Sequence, residues 1–336
     1  MTQTTLRIRT PSRLAFGLID MNGEIGRVEG GLGLTLEKPC LELRARRAGA
    51  LAIGGPAAVP ESGRRKFEAM SQVFREKYGT DGVDVSVEET IPDHSGLGSG
   101  TQLALAFGQA VNLLYDLKLK LPEIVRIAQR GGTSGIGCAA FEMGGFIADA
   151  GHRFGGPGGK TMFAPSAAST GFSAPPILFH ANLPSSWRVV IVLPAAGVIT
   201  HGDEEKALFL KHCPVPSNEA AQSARLALLK VLPAILEEDI EDFGAGLEAM
   251  QRFGLKRIQI ARQNEQVRET MNEMRRLGLR GVGMSSWGPT LFGFSKAGPG
   301  ADQEIVQALG EFGASVGGMR VILTSAAERG ATWTWE

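Results

Sequence analysis

The sequence predicts an α+β protein of two lobes, on three observations. The chain has 336 residues, at the upper end of what one core organises, so two lobes are favoured. Its first hundred residues alternate short β-like runs with Gly, Pro and Asn punctuation around one helical stretch. Its second half reads β-α-β-β-α-β, the order of a ferredoxin-like split βαβ unit, once a long helical insertion is counted as a single α element.

The elements follow in order. Thr5–Arg9, Leu14–Ile19, Leu32–Leu36, Leu41–Arg47 and Val83–Glu88 read as strands, and Pro60–Tyr78 reads as a helix. After a loop over Ile91–Gly98, the residues Leu103, Phe107, Ala110, Val111 and Leu114 recur at spacings of three and four, one face of a helix running to about Asp116. A further helix takes Pro122 as its first residue, where the missing N–H is harmless, and stops at Gly131-Gly132. Gly151–Pro176 is rich in Gly, Pro, Ser and Ala without sustained period and marks the lobe boundary, placed between residues 165 and 166. Beyond it, Trp187–Leu193, Leu279–Met284, Thr290–Phe294 and Met319–Leu323 read as strands, Ser285–Pro289 as a turn and Ala301–Phe312 as a helix. Within the insertion Ile240, Phe243, Leu247 and Met250 keep helical spacing.

Composition narrows the function. With 35 basic against 35 acidic residues the net charge is zero, so no nucleic-acid footprint is expected. A hydrophobic share of 43% with 21% charged residues places the chain among folded globular proteins. Cys40, Cys138 and Cys213 lie far apart and form no CxxC, which argues against a disulfide framework or zinc site and fits a reducing compartment. The longest apolar stretch, Val189–Ile199, contains Pro194 and is far short of a membrane span, so a cytoplasmic protein without membrane contacts is expected. Glycine stands out: 45 residues, nearly twice the usual share of about 7%.

The most informative segment is Pro92-Asp93-His94-Ser95-Gly96-Leu97-Gly98-Ser99-Gly100-Thr101-Gln102, between a strand and the amphipathic helix. Its glycines let the chain wrap closely, its hydroxyls donate, and the helix start offers unpaired N–H groups with partial positive charge: an anion site suited to phosphate or pyrophosphate. A tight strand-to-helix turn would carry the same glycines. The dinucleotide and Walker patterns both fit badly, since the final glycine of the first and the Gly-Lys-Ser/Thr of the second are missing.

This loop resembles the phosphate-binding loop of the GHMP superfamily of galacto-, homoserine and mevalonate kinases. Thr10-Pro11-Ser12-Arg13-Leu14 is similar to that superfamily's opening motif, and Gly281-Val282-Gly283-Met284-Ser285-Ser286-Trp287-Gly288-Pro289 to its third. The resemblance covers nearly the whole chain and implies a lobe like ribosomal protein S5 followed by a ferredoxin-like lobe. Closer detail resembles the β-ribofuranosylaminobenzene 5′-phosphate synthases, through Pro11–Asp20, Gly26-Arg27 with Gly30-Gly31, Gly144–Ile147 with Asp149 and His152, Pro165–Ser169, and Ser285–Thr290. That family implies a phosphoribosyltransferase joining phosphoribosyl pyrophosphate to 4-aminobenzoate or 4-hydroxybenzoate, with loss of carbon dioxide and pyrophosphate, in tetrahydromethanopterin biosynthesis. Ser134–Ala140, where many kinases of the superfamily place a catalytic Asp, holds no carboxylate. The resemblance also implies a His in the Arg-Leu-x-Phe-Gly stretch, where this chain has Ala15. An ATP-dependent small-molecule kinase and a non-catalytic sensor of the same fold are the alternatives.

Such chemistry must neutralise pyrophosphate and stabilise positive charge on ribose. Ser95, Gly96, Leu97, Gly98, Ser99, Gly100, Thr101 and Arg13 are the phosphate-binding candidates, and Asp20, Asp149, His152 and His201 the catalytic ones. Mg²⁺ is the expected cofactor, with Asp203 and Glu204 as candidate ligands at a helix start, where they would equally complement the helix dipole. Arg27, Ser285, Ser286 and Trp287 are candidates for the benzoate: Arg27 as a bidentate donor, Trp287 as a stacking surface. His94 and His152 are as readily packed or solvated residues, and a homodimer is the common state for such an enzyme.

Overall fold

The computed structural model describes residues 4–166, 168–169 and 171–336. Two long strands, β1 (Leu6–Asp20) and β2 (Arg27–Ala48), form an antiparallel pair at the heart of an eight-stranded sheet. The sequence divides each of them into two runs. The structure joins the runs, because the register jumps from Pro11↔Cys40 to Ser12↔Leu36 and the intervening Glu37-Lys38-Pro39 bulges out of the ladder.

The short β3 (Ala52–Gly54) is followed by α1 (Glu61–Tyr78), β4 (Gly82–Glu89), α2 (Ser99–Leu114) and α3 (Leu121–Ile127). Then come α4 (Ile136–Glu142), β5 (Phe146–Asp149), β6 (His152–Arg153) and β7 (Ile177–Ala181). Helix α2 buries residues nearly all round, Leu103, Ala106, Phe107, Ala110 and Val111 among them, so it is a central helix under the sheet.

The second lobe opens with β8 (Arg188–Pro194), and its insertion runs through α5 (Gly202–His212), α6 (Ser217–Leu226), a π turn at Ala227–Val231, and α7 (Leu232–Leu236). It continues with α8 (Ile240–Met250), α9 (Gly254–Ala261) and α10 (Glu265–Arg276). The unit closes with β9 (Arg280–Met284), β10 (Leu291–Ser295), α11 (Pro299–Ser315) and β11 (Met319–Thr324). The strand order β11-β8-β10-β9, all antiparallel, is that of a ferredoxin-like sheet.

Two features depart from the sequence expectation. β7 pairs with β5, so the first sheet extends past residue 166 to Ala181, and a last strand, β12 (Thr332–Trp335), returns from the chain's end to pair with β1. The lobes also share one hydrophobic core: Phe16 of β1 meets Phe292 of β10 edge-on, with centroids 4.9 Å apart, and lies beside Phe146. Among the described residues no helix is long and apolar enough to cross a membrane.

Candidate active site

Three loops distant in sequence are tied into one wall. Arg13 N–H donates to Leu97 O at 3.0 Å, and the Arg13 guanidinium donates to Gly96 O. Ser285 Oγ donates to the same Gly96 O at 2.7 Å and accepts from Ala15 N–H at 3.0 Å, while Ser286 N–H donates to Ala15 O at 2.9 Å. Gly96 can only be glycine here: its φ is +86°, and a Cβ would stand 2.4 Å from Ser285 O. Gly98, also left-handed, caps α2 without any side-chain cap, and a Cβ on it would press on Arg13. The first N–H groups of α2 thus stay available beside an arginine.

Behind this wall lies a cleft of about 100 Å³, lined by Arg13, Ser134, Glu205, Lys256, Gln259 and Trp287 among others. Lys256 is buried, and its Nζ donates to Met284 O at 3.0 Å and Ser286 O at 2.6 Å, with no carboxylate partner among the described residues. Desolvation, reinforced by neighbouring Arg13, drives its pKa down to about 7; desolvation alone takes Arg13 to about 10. Glu205, the carboxylate lining the cleft, is lifted by burial to about 7, an effect the Trp287 side chain partly opposes. Trp287 lies against Phe209, and the Oε1 of buried Gln259 has no partner among the described residues. Two cations, a protonatable carboxyl, an aromatic wall and an unsatisfied amide oxygen converge on one space. That arrangement suits a planar, anionic aromatic ligand beside a phosphorylated one.

The sequence candidates distribute around this cleft. Arg13, Ser286 and Trp287 line it; Ser285 lies buried beneath, joining the loops. Of the phosphate loop, Leu97 is fully buried as its anchor, Ser95 Oγ donates to Pro92 O at 2.7 Å, and Ser99 Oγ donates to Asp93 at 2.9 Å. Gly100 O is held by Arg130 at 3.1 Å, and Thr101, in the first turn of α2, packs against Gly137. Asp20 ends β1 and accepts from Asn22 and Gly23 N–H groups, shaping the turn to β2. Asp149 is fully buried, accepts from Gly135 and Gly151 N–H at 2.9 Å each, and is pushed up to about 6 by desolvation against those bonds.

His152 lies elsewhere. Its Nδ1 meets Glu29, its Nε2 faces Ser173 O at 2.9 Å, and Lys160 completes a buried cluster on the same carboxylate. Arg27 donates to Ala150 O and Gly151 O and lines a separate cavity of about 310 Å³ with His152 and Phe172, apart from Trp287. His201 precedes α5 in the open and stacks on His94 with centroids 4.4 Å apart. Asp203 and Glu204 face solvent on the first turn of α5, and Glu204 is taken up by Arg262. Among the described residues no group of three or more His, Cys, Asp and Glu is placed to hold a metal.

Lys256 and Glu205 are absent from the sequence-derived candidates. For Glu205 a signal existed: it stands three and four residues before Leu208 and Phe209, on the buried face of α5, whereas Asp203 and Glu204 lie off it. For Lys256 there was none, since it sits between Leu255 and Arg257 in a segment that reads as a solvated basic face.

Comparison with known proteins places the chain in a family. The family models described as GHMP kinases N terminal domain and GHMP kinases C terminal match residues 65–145 and 231–318, which defines the class. A homoserine kinase from Cytophaga hutchinsonii superposes with a TM-score of 0.66 at 16% identity, covering 99% of this chain and 98% of that one. The mevalonate diphosphate decarboxylase from Enterococcus faecalis gives 0.64 at 15%, covering both chains fully. The β-ribofuranosylphenol 5′-phosphate synthase of Methanocaldococcus jannaschii is 38% identical over 85% of this chain and 88% of its own length. That of Methanothermobacter thermautotrophicus is 37% identical over 97% and 98%. The chain belongs to this synthase family within the GHMP superfamily.

Proposed function

We propose that the protein is a pentosyltransferase of the methanopterin pathway, joining the ribose carbon 1 of phosphoribosyl pyrophosphate to a 4-substituted benzoate with loss of carbon dioxide and pyrophosphate. The observation that supports it best is the pairing of a glycine loop with two cations, Arg13 and Lys256, that have no carboxylate partner among the described residues, across from an aromatic and acidic wall. The leaving pyrophosphate gathers negative charge, which the α2 N–H groups and the two cations would neutralise. The smaller acceptor suits the cleft: an enclosed cavity of roughly 150 Å³ takes a benzene ring, and this one is somewhat smaller but open on one side. Trp287 offers the ring a flat face, and orientation of the two substrates does the rest.

Mg²⁺ belongs to the proposal as a companion of the donor's pyrophosphate, held by the phosphates. Asp203 and Glu204 do not fit it, being exposed and, for Glu204, already neutralised by Arg262. A homodimer is part of the proposal too, supported by Trp333 and Trp335, which stand about half exposed on the edge strand β12; size-exclusion chromatography with light scattering tests it.

The deciding assay incubates the protein with phosphoribosyl pyrophosphate, Mg²⁺ and a carboxyl-labelled 4-substituted benzoate. Release of labelled carbon dioxide, with one pyrophosphate per turnover, is expected. ATP consumption with an alcohol substrate and no labelled gas would assign the chain to kinase chemistry instead.

A further inference from the structure

We infer that Glu205 is the base that takes the proton from the para hydroxyl of a 4-hydroxybenzoate-type acceptor. This rests on the proposed synthase activity and adds a residue to it. Glu205 is the carboxylate that lines the cleft, on the same stretch of wall as Trp287 and Phe209, the aromatic pair that would face a ring. Apolar neighbours, Met21, Leu208, Phe209 and Leu255, pack around Trp287 on that side of the cleft. The charged groups lining the cleft with it are Arg13 of β1 and Lys256 of α9; on α5 itself Asp203 and Glu204 turn to solvent. Its carboxyl titrates near 7, in the range where a general base is both ionised and basic.

The step balances. Ionised Glu205 accepts the para O–H proton; the oxygen's electrons flow through the ring, the carbon bearing the carboxylate bonds to ribose carbon 1, and the bond from that carbon to pyrophosphate breaks. The carbon–carboxylate bond then breaks, its electron pair restores the ring, carbon dioxide leaves, and Glu205 returns the proton to the phenol oxygen. An aniline depends less on such a base, because its neutral nitrogen donates to the ring more strongly than a neutral phenol oxygen does.

The test compares the wild type, Glu205→Gln and Glu205→Asp in labelled carbon dioxide release from 4-hydroxybenzoate and from 4-aminobenzoate, each over a range of pH. For Glu205→Gln a loss of roughly 10²–10⁴ in kcat/KM is expected on the hydroxy acid, with less than about a tenfold loss on the amino acid, and Glu205→Asp recovers part of the former. In the wild type, kcat/KM on the hydroxy acid rises with pH through a limb near 7 that Glu205→Gln lacks. Equal losses on both acids, or a persisting limb in Glu205→Gln, would overturn the role of Glu205. No labelled gas from either acid with wild-type protein would instead overturn the synthase assignment itself.

Discussion

Two clusters of buried charge, one around Glu29 of β2 and one beside Arg13 of β1, are built on opposite plans. Around Glu29 the accounts balance internally: the carboxylate, only 1% exposed, meets both His152 and Lys160, and Lys160 also reaches Ser169. In the cleft, Arg13 and Lys256 have, among the described residues, only backbone carbonyls as hydrogen-bond acceptors, and Glu205 has an indole. A fold gains little from either arrangement over apolar packing, but a paired cluster is stable on its own while unpaired cations of the same sign are not. The first holds the segment after Lys160 in place, including Pro165 and Ser166 at the edge of the cleft. The second is a site that an anion completes.

Breaking the paired cluster has the largest expected effect, and it falls on stability. Glu29→Gln leaves Lys160 and the His152 side chain without their buried anion, and equilibrium urea unfolding should show a loss of about 3–5 kcal/mol. In the folded protein kcat holds within a few fold, while KM rises as the Pro165–Ser166 edge loosens. A His152→Asn variant that keeps its fold yet loses turnover would show that this cluster too does chemistry, and the contrast would fail.

Emptying the unpaired site shows the reverse. Lys256→Met should lower kcat/KM by about 10²–10³, the range for losing one preorganised donor to a developing anion. The same variant should unfold at higher temperature or denaturant, because a methionine fills the space of a lysine that the fold strains to keep charged. A loss of stability in Lys256→Met would mean that its bonds to Met284 O and Ser286 O serve the fold and not the ligand.

A third variant probes the wall between the clusters. In Gly96→Ala the new methyl meets Ser285 O and takes up a left-handed φ, so the junction of Arg13, Gly96 and Ser285 must open. A fall of about tenfold to a hundredfold in kcat/KM, roughly 1.4–2.7 kcal/mol, is expected, concentrated in donor affinity measured by calorimetry with phosphoribosyl pyrophosphate.

How far the sequence exposed this design varied with the range of the interactions. The glycine loop and its helix were legible because both are local: left-handed turns select Gly96 and Gly98, and three-four spacing marks α2. The ferredoxin-like order was legible because its strands and helices are regular. The return of β12 to β1 was not, since Thr332–Trp335 carries a strand pattern that says nothing about its partner some 325 residues away. The split of charges into paired and unpaired sets was hidden for the same reason. Glu29, His152 and Lys160 are spread over 131 residues, and a lysine destined for burial reads in a sequence like any solvated one.

The smallest predicted effect is also the most specific to the unpaired site. Lys256 in the folded chain loses its proton near pH 7, whereas an unfolded lysine keeps it to about 10.5. Between those values the unfolded state binds one proton more, so this residue makes stability rise with pH, by at most about 1.4 kcal/mol per unit. The difference in slope between wild type and Lys256→Met, from urea titrations between pH 7 and 9, isolates it from other groups. A bound anion reverses the bias, since pyrophosphate beside Lys256 favours the ammonium form. Binding at pH 8 should therefore draw a proton from solution, seen as a buffer-dependent calorimetric enthalpy that vanishes in Lys256→Met. Uptake that survives the substitution would place the proton, and the anion with it, at some other group.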